Sequence, residues 1–477
     1  MSNVTQENND ENSNKEHISV VITGHVDSGK STSTGHLIFK LGGIDKREMA
    51  KLQEEADNQG KSSFAFAYYM DKCAEERERG VTIQYTTKNF FTESKYYTII
   101  DAPGHKDFVK NMIRGASQAD IAVLMLPAAA GGFEVAIQKG DRKKNLIEGQ
   151  TRQHARLLSL LGVNQLIVGV NKMDDSSVNW SETRYNEIRD EMQKMLKECG
   201  FAPKKVPIIP FSGFLGDNLI EPTDKMPWWK GWTANQSKEK SVSGVTLYDA
   251  LDKFAYVPKR NADGAFRMPI SGVLKIPGIG SVITGRIEQG TIRKDDVVGV
   301  CPRGIKDCRV FSIEMHHKMH PEAGPGDNVG LNIKGLEKYK LNMPKEGDIL
   351  YIQKQNQLKP VKSFRAYVMV QDHPGQLKSA ASGKGYTPLI HVRTSKSACK
   401  MMQIHWKKGK KTGGVEVQDP EFLEKNEEAE VTFVPQMPLF LEKYEDCEGL
   451  GRVAAMDSNN LVMLGKVLDV EYKEDDK

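Results

Sequence analysis

Four residues suited to binding a phosphate chain and its metal ion lie together near the start of the chain, in the stretch GHVDSGKS at residues 24–31. The stretch fits the pattern G-x-x-x-x-G-K-S. Gly24 and Gly29 allow backbone N–H groups to turn inward around an anion, and Lys30 supplies a cation to the outer phosphates. Ser31 offers a hydroxyl to Mg²⁺. The chemistry that these residue types and this spacing predict is the binding of a nucleotide phosphate chain.

The surroundings of the stretch decide between this interpretation and a chance glycine turn. An apolar run at residues 18–23 reads as a strand, and a segment of helical period containing Leu37 and Phe39 follows. Strand, glycine-rich loop and helix are the context that a phosphate-binding loop requires. We therefore assign to nucleotide binding the residues Gly24, His25, Val26, Asp27, Ser28, Gly29, Lys30 and Ser31.

A second chemical stretch, DAPGHKD, begins at Asp101 after the apolar run 96–100. A transferable γ-phosphate needs a carboxylate that supports the metal, a sensor of the phosphate and a group that orients water. Asp101 can hold Mg²⁺ through water, and Gly104 can turn its N–H toward the γ-phosphate. His105 can then reach the attacking water, although a lone loop histidine is usually a solvated or packing residue.

Between these two stretches lies EERERGVTI, at residues 75–83. Thr82 could add a hydroxyl to Mg²⁺ only while the γ-phosphate is present, which would make the segment an order–disorder switch. Residues 75–79 could instead form an ordinary charged helix on the surface. Their charged side chains are expected to be solvated whether or not the segment acts as a switch.

The tetrapeptide NKMD, at residues 171–174, ends another predicted strand. The Asp174 carboxylate can accept both N–H donors of a guanine ring, whereas adenine presents a different pattern. Alone, NKMD would be an ordinary strand-end turn, but its place after a phosphate-binding loop favours guanine. The stretch SGF follows the next strand and would complete the base pocket with backbone donors from Ser212, Gly213 and Phe214.

The elements that must position these residues form an α/β pattern followed by two β-rich blocks. Strands are predicted at residues 18–23, 96–100, 121–127, 165–170 and 206–210, and a helix containing Tyr185, Ile188 and Met192 ends near Gly200. The fold class is a P-loop GTPase domain with a mainly parallel sheet and helices on both faces, then two β-barrel domains. We expect a disordered tail at 1–17, a GTP-binding domain at 18–258, and barrels at 262–356 and 360–473.

Length and composition limit the number of domains and the class of protein but do not indicate a function. The chain has 477 residues, which at roughly 150 residues per domain suggests about three domains. The formal net charge of +4 gives no strong polyanion signal, and the six cysteines have no metal-binding or disulfide-dense spacing. The polar N-terminus lacks the apolar segment of a signal peptide, and no window predicts a transmembrane helix. We expect a cytoplasmic protein with reduced thiols and no membrane partner.

The motifs, in the order GHVDSGKS, ERERGVTI, DAPGHKD, NKMD and SGF, resemble those of the translational GTPases. KNMIRGASQAD, GQTRQHARLLSLLGV, EMHHK, PGDNVGLNIKG and HPGQ closely resemble the elongation factor 1-alpha family over residues 17–472. FAFAYYMDK, TTKNFFTE, QKGDRKKNLIEGQTRQH and CEGLGRVAAMD are more similar to the elongation factor-like branch that some eukaryotes carry instead.

The resemblance implies a GTPase that delivers aminoacyl-tRNA to the ribosomal A site in its GTP form and leaves after hydrolysis. It implies GTP or GDP and Mg²⁺ as ligands, and it adds a nucleotide-exchange factor and actin as candidate partners. The positions that match the family's nucleotide and Mg²⁺ ligands are Asp27, Lys30, Ser31, Thr32, Thr82, Asp101, Gly104, His105, Asn171, Lys172 and Asp174. Among them, Ser31, Thr82 and Asp101 would hold the metal, and Thr82, Gly104 and His105 would serve catalysis.

In the first β block, residues 314–318 with Arg286 resemble the wall that receives the aminoacylated 3′ end of tRNA. The candidate contacts are Arg286, Glu314, His316 and His317, although adjacent histidines on a strand point to opposite faces, so one is structural. Lysines at 407, 408, 410 and 411 are candidates for acceptor-arm phosphates, against the alternative of a solvated loop.

The chain departs from the usual elongation factor 1-alpha pattern in three places. Lys106 stands where arginine is usual, which keeps the charge but loses the planar fork. Residues 139–148 insert a charged segment that we interpret as a surface loop, and Gln84 replaces a common acidic residue. Two rival functions remain at this point: a release or ribosome-rescue GTPase, and a GTP-regulated actin-binding scaffold.

Overall fold

A six-stranded, mainly parallel sheet organises the first of two compact units, which comprise Met1–Pro258 and Lys259–Lys477. The computed structural model describes residues 15–58, 60–70, 76, 86–103, 109–116, 118–140, 149–236, 240–315, 318–339, 342–371, 375–457 and 460–474. The strand order is β2-β3-β1-β4-β5-β6. The strands are β1 (Glu16–Gly24), β2 (Thr86–Phe91), β3 (Lys95–Asp101), β4 (Ile121–Pro127), β5 (Gln165–Asn171) and β6 (Ile208–Pro210).

Only β2 runs antiparallel to its neighbour β3, and the other pairs of this sheet are parallel. The central strand β4, IAVLMLP, is buried at every position. Ile121, Val123 and Met125 join one hydrophobic cluster, while Ala122 and Leu124 are buried on the opposite side of the strand. A strand buried on both faces reads as a continuous apolar run and requires cover on both sides. The predicted parallel sheet is therefore confirmed.

Eight helices of the described residues accompany this sheet and its connections. They are α1 (Lys30–Lys40), α2 (Lys46–Asn58), α3 (Ala65–Met70), α4 (Val109–Ala116), α5 (Gly132–Ile137), α6 (Gln150–Leu161), α7 (Glu182–Glu198) and α8 (Leu247–Asp249). A π-helical turn, Ala250–Phe254, continues α8, and a small hairpin pairs β7 (Trp232–Asn235) with β8 (Ser241–Gly244). Among the described helices, none has both the length and the apolar composition that crossing a membrane requires.

The helix predicted around Tyr185, Ile188 and Met192 is α7, and its three apolar side chains are buried. Ser181 caps its start, because the side chain accepts a hydrogen bond from the Arg184 N–H. Gly200 follows the helix with φ +92°, a backbone conformation that favours glycine.

The first strand begins earlier than the sequence predicts. Glu16 and His17, which we assigned to the tail, pair with Lys95 and Tyr96 of β3. His17 Nε2 lies 2.8 Å from Thr98 Oγ1 on the neighbouring strand. A cross-strand side-chain hydrogen bond thus extends β1 beyond its apolar run, which a hydropathy pattern does not reveal.

The second unit contains two closed six-stranded barrels, as predicted. The first closes through β12-β17-β9-β10-β16-β13, with β12 also paired to β13. Its strands are β9 (Met268–Ile276), β10 (Gly280–Arg286), β11 (Ile292–Arg293), β12 (Val297–Cys301), β13 (Ile305–Met315), β14 (Lys318–His320), β15 (Glu322–Ala323), β16 (Asn328–Lys334) and β17 (Ile349–Ile352). Alternate apolar residues along these strands fill the interior.

The second barrel closes through β20-β25-β26-β18-β24-β21, with β20 paired to β21. Its strands are β18 (Val361–Val370), β19 (Leu377–Lys378), β20 (Leu389–Val392), β21 (Ser395–Lys408), β22 (Val417–Gln418), β23 (Phe422–Leu423), β24 (Glu428–Pro435), β25 (Arg452–Asp457) and β26 (Asn460–Tyr472). Two ion pairs join the barrels. Arg267 Nη2 lies 2.7 Å from Glu442 Oε1, and Arg393 Nη2 lies 2.7 Å from Glu288 Oε2.

The prediction of an accessible lysine cluster at 407–411 is wrong for Lys407. Lys407 is buried on β21, and its Nζ donates to the Phe422 carbonyl at 2.9 Å and lies 3.2 Å from Glu427 Oε2. Lys411 Nζ lies 2.5 Å from Glu424 Oε2, but the Lys411 side chain is 74 % exposed. Because β21 continues through residue 408, part of the segment interpreted as a loop is strand. Lys407 and Lys411 also form ion pairs with Glu427 and Glu424.

Candidate functional site

The phosphate-binding stretch forms the turn between the carboxyl end of β1 and the start of α1. Gly24 has φ +145°, and a Cβ added there would lie 2.0 Å from the Met125 carbonyl oxygen of β4. Gly29 has φ +80° and precedes the first residue of α1, where a Cβ would lie 2.3 Å from Asn171 Nδ2. Both positions therefore exclude any side chain, and the turn leaves the N-terminus of an 11-residue helix facing it.

A lysine lies within the curve of this loop. Lys30 is 7 % exposed, and its Nζ donates to the His25 carbonyl at 2.8 Å. Ser28 Oγ donates to the same carbonyl at 2.8 Å. The loop thus closes around its own cation, which is the charge that an incoming phosphate chain would meet.

The predicted metal ligands Ser31 and Asp101 meet directly. Ser31 Oγ donates to Asp101 Oδ2 at 2.7 Å, because β3 places Asp101 opposite Ile22 of β1. Asp101 is fully buried, and its Oδ1 has no hydrogen-bond partner among the described residues. A hydroxyl beside a carboxylate with an unused oxygen is the kind of donor set that Mg²⁺ accepts. The residues therefore fit the metal.

Burial raises the pKa of Asp101 to about 6, against the opposing effects of the Ser31 hydroxyl and the Lys30 ammonium. Glu76, a buried acid nearby, adds to the rise. A cation at this position would offset the cost of burying the charged Asp101 carboxylate and would reduce its repulsion from Glu76.

One amide side chain connects the phosphate loop with the predicted base loop. Asn171 Nδ2 donates to the Ser28 carbonyl at 2.8 Å, while Asn171 Oδ1 accepts from the N–H groups of Lys172 and Gly213, both at 2.7 Å. The structure therefore brings NKMD, SGF and the phosphate loop together, as the sequence order suggests.

The groups predicted to contact the base lie around this amide. Asp174 is half-buried, and its carboxylate makes no hydrogen bond or ion pair with any residue that the structure describes. Phe214 is 49 % exposed, and Ser212 is buried, with its Oγ accepting from the Leu215 N–H at 3.0 Å. An uncommitted carboxylate beside a loop held by backbone hydrogen bonds can accept the paired N–H donors of a planar base.

Two polar residues of α6 contact the phosphate loop and the strand before it. The sequence alone indicated no role for them. Gln150 Oε1 accepts from the Val26 N–H at 3.1 Å, and His154 Nδ1 lies 2.9 Å from Thr23 Oγ1. Burial lowers the pKa of His154 to about 3, and Lys30 and His25 add to the effect. The signal that could have identified them is their spacing, since residues four apart share one face of a helix.

Several predicted residues lie outside the described part of the chain. They are Thr82, Gln84, Gly104, His105, Lys106, His316, His317 and residues 141–148 of the insertion. Lys139, at the start of that insertion, is described, and its Nζ lies 2.6 Å from Glu198 Oε1 of α7.

In the first barrel, Arg286 and Glu314 lie on either side of β16. Arg286 pairs with Asn328, and Glu314 pairs with Gly330. Since positions two apart on a strand share a face, the register places both predicted contacts on the same face of the sheet. Arg286 is 8 % exposed, and its Nε donates to the Gly326 carbonyl at 3.2 Å.

Comparison with known protein families accounts for both units. Residues 15–256 match the family described as Elongation factor Tu GTP binding domain, and residues 280–351 match Elongation factor Tu domain 2. Residues 363–468 match the GTP-eEF1A C-terminal domain-like family.

Relatives of known name match over nearly the whole chain. Elongation factor 1-alpha of Eremothecium gossypii is 44 % identical over 456 residues, covering 96 % of this chain and 95 % of the relative. Elongation factor 1-alpha of Tetrahymena pyriformis is 43 % identical over 461 residues, covering 96 % of this chain and 99 % of the relative.

Among solved structures, the GTPase-like domain of S. cerevisiae Ski7, bound to GDP and inorganic phosphate, matches with a TM-score of 0.73 and 17 % identity. The match covers 97 % of this chain and 99 % of that one, and at this identity it shows the fold alone. With the loop geometry, the Ser31–Asp101 pair and the relatives in agreement, the chain belongs to the elongation factor 1-alpha family and is a translational GTPase that uses GTP, GDP and Mg²⁺.

Proposed function

We propose that this GTPase delivers aminoacyl-tRNA to the ribosomal A site in its GTP form, acts in the cytoplasm, and leaves after hydrolysis. The observation that carries the proposal is the extent of similarity to the elongation factors, 44 % identity over 96 % of the chain. That similarity covers the nucleotide site and both barrels together, and it spans 95 % of the relative.

The phosphate chain of the nucleotide is bound by the loop at residues 24–31 and by the adjoining Thr32. The loop N–H groups and the start of α1 surround the anion, and Lys30 neutralises its outer phosphates. Ser31, Asp101 and Thr82 would hold the metal ion, which would neutralise phosphate charge when bound. The hydrogen bond between Ser31 and Asp101 supports the placing of these two residues in one metal site.

The base is selected by the residues around Asn171. Asp174 accepts the two N–H donors of guanine, Ser212, Gly213 and Phe214 supply the backbone donors, and Lys172 is assigned to the same site by the family resemblance. Asn171 fixes this arrangement, since it is bonded to both loops. A site whose buried polar groups match one ring edge rejects a base that leaves them unpaired.

Hydrolysis is assigned to DAPGH and to the switch segment. Gly104 turns its N–H toward the γ-phosphate, and His105 orients the attacking water when the ribosome moves it into place. His105→Ala should therefore keep GTP and tRNA binding while losing ribosome-stimulated hydrolysis in single-turnover kinetics. A general loss of nucleotide affinity would instead make His105 a structural residue.

The 3′ end of charged tRNA is assigned to the first barrel, at Arg286, Glu314, His316 and His317. The shared face of Arg286 and Glu314 across β16 supports this assignment. A nucleotide-exchange factor and actin are further candidate partners that the family resemblance adds.

A filter-binding titration with charged and uncharged tRNA, in a GTP analogue and in GDP, tests the proposal. We expect the GTP form to prefer charged tRNA and the GDP form to bind weakly, with affinity falling as salt rises because phosphate contacts release counterions. Arg286→Ala should weaken only the charged complex. Arg309→Ala, which removes an exposed arginine of the same barrel, is the matched control.

If charged tRNA is not preferred over uncharged tRNA, the 3′-end assignment is wrong. If neither tRNA binds while a release factor or rescue protein does, the rescue function replaces the one proposed. Binding of actin alone, with no tRNA complex in either nucleotide state, would favour the cytoskeletal function.

A further inference from the structure

A buried histidine on the phosphate-loop helix holds the base loop. His36 lies on α1, is 6 % exposed, and donates from Nδ1 to the Gly213 carbonyl at 2.9 Å. Asn171 Oδ1 accepts the N–H of the same Gly213 at 2.7 Å. Both polar backbone atoms of one glycine in SGF are thus fixed by side chains from opposite sides.

The hydrogen-bond direction fixes the chemical form of this histidine. A carbonyl oxygen can only accept, so the proton resides on Nδ1. Burial lowers the pKa of His36, and nearby Lys40 lowers it further, while its bond to Gly213 opposes the change. The ring is therefore neutral at pH 7, and it acts through a directional hydrogen bond rather than through charge.

The base loop at residues 212–216 lies against α1, with no room for a side chain at Gly213 or Gly216. A Cβ at Gly213 would lie 1.9 Å from Ser33 Oγ, and a Cβ at Gly216, where φ is +81°, would lie 2.6 Å from His36 Cε1. Lys40, one turn further along α1, donates from Nζ to the Gly216 carbonyl at 3.1 Å. The orientation of the loop is thus set by one face of α1.

The opposite contact of the imidazole is with α3. The rings of His36 and Phe66 are stacked, with centroids 4.1 Å apart and planes 6° apart. The backbones also approach closely there, because a Cβ at Gly35 would lie 2.0 Å from the Phe66 carbonyl oxygen. Since α3 ends at Met70, it leads directly into the segment that contains Thr82.

We propose that His36 is a positioning residue for guanine recognition: stacked on Phe66, it orients the Gly213 carbonyl and so couples the base loop to α3. The inference rests on the proposed assignment of residues 171–174 and 212–214 to guanine. It deepens that assignment by making base discrimination depend on α3, which the imidazole connects to the base loop through the stack on Phe66 and the hydrogen bond to Gly213. Side-chain contacts therefore connect α3 to the guanine site.

The test measures equilibrium affinities of the full-length protein for GDP, IDP and ADP, together with GDP dissociation rates and thermal denaturation. IDP lacks only the 2-amino group of guanine, so the GDP-to-IDP affinity ratio reports the base loop rather than the phosphate loop. The variants are His36→Ala, His36→Asn, Phe66→Leu and Phe66→Tyr. His405→Ala, a partly buried histidine bonded to Thr432 in the second barrel, is the matched control.

We expect His36→Ala to speed GDP dissociation by about 5- to 20-fold, the effect of one lost hydrogen bond to a buried carbonyl. The GDP-to-IDP ratio should fall, because the loop loses its orientation toward the 2-amino group. His36→Asn, whose amide can donate from nearly the same place as Nδ1, should recover part of the ratio. Phe66→Leu should show a smaller fall, while Phe66→Tyr and the control should match the wild type.

An unchanged GDP-to-IDP ratio in His36→Ala and Phe66→Leu would overturn the inference, even if both variants melt at lower temperature. If His36→Ala does not fold, His36→Asn and Phe66→Leu carry the same comparison. Wild-type protein that does not prefer GDP over ADP would instead overturn the guanine assignment itself. The two failures are distinguishable because one is seen only in the variants and the other in the wild type.

Discussion

Asn171 holds Gly213 through a 2.7 Å hydrogen bond from the glycine N–H to Asn171 Oδ1. The other end of the same amide donates to the Ser28 carbonyl at 2.8 Å. The residue that ends β5 therefore sets the distance between the phosphate loop and the base loop, and a nucleotide must span that distance.

We predict that Asn171→Ala weakens GDP binding by about 100-fold or more and lowers the apparent melting temperature. Each buried polar group left without a partner costs about 1–3 kcal/mol, and this change affects the Gly213 N–H, the Lys172 N–H and the Ser28 carbonyl. Titration calorimetry and thermal denaturation measure the two effects. Asn235→Ala, at an exposed position of β7, is the control, and equal behaviour of both variants would contradict the linking role.

A second prediction concerns the choice of base. Asp174→Asn replaces one acceptor oxygen with a donor, so it should weaken GTP binding and improve xanthosine triphosphate binding, whose ring offers an acceptor in place of the 2-amino group. Competitive binding of GTP, ATP and xanthosine triphosphate measures the change. Asp175→Asn, at the neighbouring carboxylate that accepts from Ser177, should leave the preference as in the wild type. An unchanged preference in Asp174→Asn would remove this residue from the base site.

The third prediction separates backbone strain from function. Gly24→Ala should reduce GDP affinity by at least about 10-fold, or about 1.4 kcal/mol, because a Cβ cannot coexist with the Met125 carbonyl and the φ of +145° suits only glycine. Gly42→Ala also has positive φ, +76°, but its Cβ meets nothing within 4 Å. This control should lose about 1–2 kcal/mol of stability and keep its nucleotide affinity. Similar GDP affinities in the two variants would contradict the requirement for close backbone approach at Gly24.

The fourth prediction uses the buried His154. Its pKa is about 3 in the folded protein, against an ordinary value of 6.5, so the unfolded chain binds a proton that the folded one does not between those values. The neutral histidine therefore does not lower the stability above pH 6.5. As the pH falls from 6.5 toward 3, the free energy of unfolding falls by at most about 1.4 kcal/mol per pH unit. His154→Gln should therefore have a flatter dependence of melting temperature on pH between 7 and 4. Parallel curves for the variant and the wild type would contradict the buried, neutral state.

Local patterns in the sequence predicted the parts of the fold that depend on them. The phosphate loop could be predicted from GHVDSGKS and the strand before it. The positive φ angles at Gly24 and Gly29 favour glycine at these two positions, and this local requirement is visible in the sequence. The apolar runs of β3, β4 and β5 appeared where the buried strands lie. Two β-barrel domains were also predicted from short β-rich runs separated by turn residues, and both barrels are closed.

Contacts between distant segments could not be predicted in the same way. His36 lies 177 residues from Gly213, and no periodicity relates them. Lys407 was wrongly predicted to be accessible, because its acidic partner Glu427 lies 20 residues away in the chain. The roles of Thr82, Gly104 and His105, and the assignment to the elongation factor-like branch, stay predictions.

Dipeptide formation on programmed ribosomes measures delivery of aminoacyl-tRNA itself. Ribosomes with initiator tRNA in the P site receive charged tRNA, GTP and the protein, and dipeptide is measured in a quenched-flow time course. We expect rapid dipeptide formation that requires both this protein and GTP and does not occur when a non-hydrolysable analogue replaces GTP. Dipeptide formation at the same rate with and without the protein, while its GTPase is active on those ribosomes, would contradict delivery of aminoacyl-tRNA.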